Sequence, residues 1–87
     1  MNTTMIAAFK SREQTISLYR TAKQNGIPCN IVNTPREVGV CCGISVSFDP
    51  EHMPYIQRLI YKGNYDRFIG FFKVVKTGYG TAIEKIG

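Results

Sequence analysis

The residues of this chain best suited to chemistry are the neighbouring cysteines Cys41 and Cys42, followed by Gly43 and preceded by Thr34-Pro35-Arg36-Glu37. A cysteine acts as a nucleophile through its thiolate, which positive surroundings and a helix N-terminus favour. Arg36 lies in the same segment, and Ser11-Arg12-Glu13-Gln14 reads as a helix start in which Ser11 caps free N–H groups and Gln14 reaches back to Ser11. Where both segments share one end of the fold, Lys10, Ser11 and Arg12 surround the loop thiols. Successive side chains of extended chain point opposite ways, so one of the two cysteines is expected to face solvent and the other to pack inward. Cys42 is the favoured nucleophile because Gly43 leaves close backbone access behind it, and Cys41 is the second candidate. A trans peptide holds neighbouring Cα atoms about 3.8 Å apart, under the disulfide range of about 4.4–6.8 Å, which disfavours a bond between the pair. An ordinary hairpin loop with incidental cysteines fits the same segment, and Arg36 suits bracing that loop as well as facing a thiolate.

Other chemistries find little support. Cys29 falls at the opposite end of its strand from the loop and reads as a small buried apolar residue, too far from Cys42 for a disulfide. Cys29, Cys41, Cys42 and His52 are metal-ligand types without a Cys-x-x-Cys pair, and His52 falls at the far end of the sheet, so no metal site is expected. One histidine, no paired carboxylates and no phosphate-cradling glycine loop leave no machinery for a stand-alone acid–base or phosphoryl-transfer enzyme.

The elements that must hold the loop follow from periodicity. Met5–Phe9 is a short apolar strand; the helix after Ser11 carries Ile16, Leu18, Tyr19 and Ala22 and stops at Asn25-Gly26. Cys29–Asn33 reads as a second strand, and Ile44-Ser45-Val46-Ser47-Phe48 alternates with period two as a third. Asp49-Pro50 opens a second helix bearing Met53, Ile56, Leu59 and Ile60, though Pro54 pushes its regular part later than Pro50. Residues 67–75 form a β-prone run that is apolar at both parities, as in a strand covered on both faces. The order β-α-β-β-α-β predicts an α+β, ferredoxin-like sandwich, a four-stranded antiparallel sheet with two helices on one face. Residues 1–75 make that domain, and residues 76–87 a tail, either an extra strand or a flexible arm.

At this point the string Thr34-Pro35-Arg36-Glu37, a short spacer, then Cys41-Cys42-Gly43-Ile44 and a strand ending at Phe48, resembles the motif of the selenium/sulfur carrier protein-like family. The likeness extends over roughly residues 4–75 and includes the Gly26-Ile27-Pro28 step after the first helix. It implies that Cys42 takes the place of the family cysteine, Gly43 of its glycine, and Thr34, Pro35 and Arg36 of its turn. Cys41 stands where serine is common. The implied function is a carrier that accepts sulfur or selenium as a persulfide or selenopersulfide on Cys42 and passes it to a partner protein, with no cofactor beyond that covalent cargo.

Composition narrows the setting. With 87 residues, 44% of them hydrophobic, the chain suits one small folded domain. Its apolar stretches are far shorter than the roughly 20 residues of a membrane span. Three cysteines, two adjacent, suit reduced thiols, and a cytoplasmic protein is expected. The net charge of +5 is scattered rather than run together, and the third strand lacks aromatic residues in the arrangement that stacks bases, which argues against a nucleic-acid partner. Apolar Ile6 and Ala8 on one parity of the first strand point to a partly apolar sheet face away from the helices. That favours a homodimer or a small interaction module as the rival reading, unless the segment from Lys76 covers the face.

Overall fold

Alternation of inward and outward residues builds the sheet of the computed structural model, which describes residues 2–86. The strands are β1 (Asn2–Phe9), β2 (Asn30–Asn33), β3 (Ile44–Phe48), β4 (Phe68–Thr77) and β5 (Gly80–Ile86). The helices are α1 (Arg12–Gln24) and α2 (Met53–Lys62), with 3-10 turns at Arg36–Val38 and Pro50–His52. The sheet runs β2-β3-β1-β4-β5, and every neighbouring pair is antiparallel. The class is α+β as expected, but the sheet has five strands instead of four. The extra strand arises because β4 continues to Thr77 and turns back through Gly78-Tyr79, pairing Thr77 with Gly80. The Thr77 Oγ1 accepts from the Tyr79 N–H (3.1 Å) and donates to the Gly80 carbonyl (3.3 Å), closing the two-residue turn. Flanked by β1 and β5, β4 is an interior strand, which accounts for its apolar residues at both parities.

Both helices pack on one face. Met5, Ala7 and Phe9 of β1, Val46 and Phe48 of β3 and Phe71 of β4 meet Leu18 and Ala22 of α1 and Ile56 of α2. The inward stripe of α1 is Thr15, Leu18 and Ala22, spaced i, i+3, i+7; Ile16, expected on this stripe, is turned away and only half-buried. Pro54 falls in the first turn of α2, where its missing N–H costs no helical bond, and the residues from Pro50 to His52 form the preceding 3-10 turn.

The start of α1 departs from a reciprocal capping box. Ser11 Oγ accepts from the Gln14 N–H (3.2 Å), but the Gln14 side chain does not return to Ser11. It accepts from the Arg67 N–H (2.9 Å) and donates to Asp66 Oδ1 (2.6 Å), while the Lys10 N–H donates to the Arg67 carbonyl (2.8 Å). These bonds pin the helix start to the beginning of β4.

The opposite sheet face holds a second apolar cluster of Ile6, Ala8, Phe72 and Val74. It is not bare: Ile6 is only 2% exposed, with Val38 from the β2–β3 loop and Ile83 from β5 packed against the cluster. A shallow groove of about 420 Å³ remains there, lined by residues that include Val32, Pro35, Val74, Lys76 and Thr81. No helix among the described residues is long and apolar enough to cross a membrane.

Candidate functional site

The segment between β2 and β3 is a folded loop. The Thr34 N–H donates to the Gly43 carbonyl (2.9 Å), which closes the base of the loop as a continuation of the β2–β3 ladder. Beside it, Thr34 Oγ1 and Ser45 Oγ lie 2.6 Å apart, and Ser45 is fully buried. The Val38 N–H donates to the Pro35 carbonyl and the Gly39 N–H to the Arg36 carbonyl, both at 3.1 Å, winding the Thr-Pro-Arg-Glu stretch into its 3-10 turn. That turn places Val38 on the open sheet face. The loop therefore folds back over the sheet instead of simply projecting from its end.

Its C-terminal arm crosses to the start of α1. The Cys42 N–H donates to the Phe9 carbonyl (3.1 Å), and Cys42 Sγ lies 3.4 Å from Thr15 Oγ1 and 3.3 Å from the Ile44 carbonyl. Thr15 Oγ1 in turn donates to the Ser11 carbonyl (3.0 Å). Ser11, Thr15 and Cys42 thus form one connected polar set where the first turn of α1 meets the loop. Cys41 faces the other way: its sulfur accepts from the Gly43 N–H (3.4 Å) at the surface. Both loop cysteines are half-buried, and all three cysteines of the chain are free thiols.

Gly43 has a role other than the one expected for it. A Cβ built there would meet no atom within 4 Å, so close approach is not the constraint; φ of +95° is. L side chains rarely adopt that conformation, and glycine adopts it freely. The turn at Gly43 rotates the chain between Cys42, aimed at α1, and Ile44, the first residue of β3.

Of the other sequence-derived candidates, Ser11 comes to the thiol through Thr15. Arg12 and Arg36 are exposed, the first on the opening turn of α1 and the second on the 3-10 turn; among the described residues neither side chain makes an ion pair or hydrogen bond to Cys42. Pro35 is half-buried at the groove of the open face. Cys29 is 3% exposed, its Sγ 3.9 Å from the Tyr19 carbonyl; burial pushes its thiol pKa up, partly opposed by the Lys23 ammonium. At the far end of β3, Asp49, Glu51 and His52 bring ligand-type atoms within 4.8 Å of one another, with His52 Nε2 3.7 Å from Glu51 Oε1. The two carboxylates are exposed, an arrangement common on surfaces without a metal.

Sequence reasoning missed Thr15. Its signal was position: Thr15 lies three residues before Leu18 and seven before Ala22, on the stripe that must face the sheet, so a polar side chain there needs a partner.

No curated protein and no solved structure matches the chain. The model of the family described as "Putative Se/S carrier protein-like" matches residues 4–67, a span that contains most of β1 and the whole of α1, β2, the cysteine loop, β3 and α2. That span is well over half of the 87 residues, and the chain belongs to this selenium/sulfur carrier protein-like family.

Proposed function

We propose that the protein carries sulfur or selenium on Cys42, taking it from a donor protein and passing it to an acceptor. The observation that carries this reading is the placement of Cys42 Sγ at the first turn of α1, half-accessible and within 3.4 Å of a buried hydroxyl, on a loop braced at both ends. Transfer of a sulfane atom needs an accessible nucleophile on a rigid support and no deep pocket. In the forward step the Cys42 thiolate attacks the terminal sulfur of a donor persulfide. An S–S bond forms at Cys42, the donor's own S–S bond breaks, and the donor leaves as a thiolate, so no oxidant is consumed. With a donor selenopersulfide the attacked atom is selenium and the product is Cys42–S–Se⁻. Attack by an acceptor thiolate on that terminal atom reverses the exchange and frees Cys42. Cys41, on the solvent side of the pair, is the second thiol in reach of an incoming donor. No resident cofactor is needed, and three free thiols suit a reducing, cytoplasmic setting.

The test is intact mass measurement after incubation with a cysteine desulfurase and either cysteine or selenocysteine. One added sulfur or selenium on the wild type, lost in Cys42→Ala and retained in Cys29→Ala, is the expected result. An adduct that survives Cys42→Ala but not Cys41→Ala would move the carrier position to Cys41. Absence of any adduct with either donor would overturn the reading and leave the homodimeric interaction module, checked by light scattering, in its place.

A further inference from the structure

Thr15 is a polar side chain with no exposure at all, placed where the helix stripe calls for an apolar residue. A hydroxyl has one hydrogen to give. At rest that hydrogen goes to the Ser11 carbonyl (3.0 Å), the i−4 acceptor that a threonine in a helix often takes. Thr15 Oγ1 is then an acceptor toward Cys42 Sγ at 3.4 Å, and the Cys42 S–H has a choice between it and the Ile44 carbonyl at 3.3 Å.

Two details make this arrangement switchable. The Ser11 carbonyl also accepts from the Thr15 N–H (3.1 Å), so it stays satisfied if the hydroxyl turns away. Of the two hydrogen-bond partners of Cys42 Sγ, the Ile44 carbonyl can only accept, whereas the Thr15 hydroxyl can accept or donate. We infer that Thr15 is the positioning residue for Cys42: its hydroxyl accepts from the resting thiol and reverses to donate to the sulfur when the proton has gone. The donated bond holds the anionic sulfur at the mouth of the α1 first turn and orients its lone pair for attack. This deepens the carrier reading and rests on it for its biological meaning, but its physical content concerns the nucleophilicity of Cys42 alone.

The test uses iodoacetamide, which needs no sulfur donor, with the alkylation rates of Cys41 and Cys42 followed separately by peptide mass. Thr15→Val keeps the branched shape and leaves the Ser11 carbonyl and the resting Cys42 thiol each with a partner, removing only the donor to the thiolate. It is expected to slow Cys42 roughly tenfold or more, the size of a lost hydrogen bond to a charged group, while Cys41 keeps its rate. Thr15→Ser is expected to restore Cys42 to within a few-fold of wild type, which a purely structural role for the methyl group would not allow. Thr15→Ala makes the same deletion of the hydroxyl should the valine variant fold poorly. Wild-type Cys42 rates in both Thr15→Val and Thr15→Ala, or failure of Thr15→Ser to restore the rate, would overturn the inference. A protein that shows the Thr15 dependence yet accepts no sulfur or selenium overturns the carrier reading and leaves the positioning role standing.

Discussion

Replacing Gly43 by alanine isolates what the cysteine loop requires of its backbone. A Cβ at this position would touch nothing within 4 Å, so neither packing nor collision contributes to the effect. What remains is φ of +95°, a conformation that costs an L residue about 1–2 kcal/mol. For a domain of this size each kcal/mol shifts the melting temperature by roughly 4–8 °C, so the Gly43→Ala protein is expected to melt about 4–16 °C below wild type. Thermal melting followed by circular dichroism reads this directly. Gly39 supplies the control, since it has the same φ of +95° and the same open surroundings. Gly39→Ala is expected to lose stability as well, since its ψ of −148° places it in a region essentially reserved for glycine, yet only Gly43→Ala should disturb Cys42, because the Gly43 turn connects Cys42 to the base of β3 and its carbonyl accepts from Thr34. A wild-type melting temperature for Gly43→Ala would refute the claim that the turn depends on a left-handed residue. Equal loss of Cys42 alkylation in the two variants would refute the local coupling and point instead to general loosening of the loop.

Two further expectations concern the supports of the loop. Thr34→Val leaves the fully buried Ser45 hydroxyl without its 2.6 Å partner and is expected to cost about 1–3 kcal/mol in urea unfolding, whereas the double variant Thr34→Val/Ser45→Ala should recover much of that loss; additive losses would show that the pair does not interact. Cys29, buried with its thiol pKa raised, is expected to resist a thiol reagent in the native protein while Cys41 and Cys42 react, and to become reactive in denaturant. Because the unfolded chain gives up the Cys29 proton first, stability should fall as the pH climbs past the thiol's ordinary value of 9.0, a decline that Cys29→Ala removes; a wild-type slope in that variant would assign the decline to other groups.

Much of this site is legible in the sequence. Period-two alternation in Ile44–Phe48 marked β3, and the structure puts Val46 and Phe48 into the helix-side core with Ser45 on the reverse face. Ser11 before a helical stripe marked the start of α1, because a cap is a local matter of one side chain and the N–H groups next to it. The turn at Gly43 is equally local, but the sequence suggests only close backbone access there, and the positive φ comes from the structure. Each of these is set by residues within a turn of one another, and short-range chemistry is written directly in the sequence.

Tertiary structure decided the rest, wherever the partner lies far along the chain. Gln14 had a local partner in Ser11 but bonds Asp66 and Arg67 instead, because the fold brings the start of β4 to the helix N-terminus and presents a free N–H there. Residues after Gly78 form β5 because β4 offers them an edge to pair with, which the local glycine-rich sequence does not announce. Thr15 gains its meaning only when the loop, 27 residues later, lays Cys42 against it. The pair of cysteines was therefore a property of the sequence; which of the two meets a buried hydroxyl was decided by how the loop packs across the sheet.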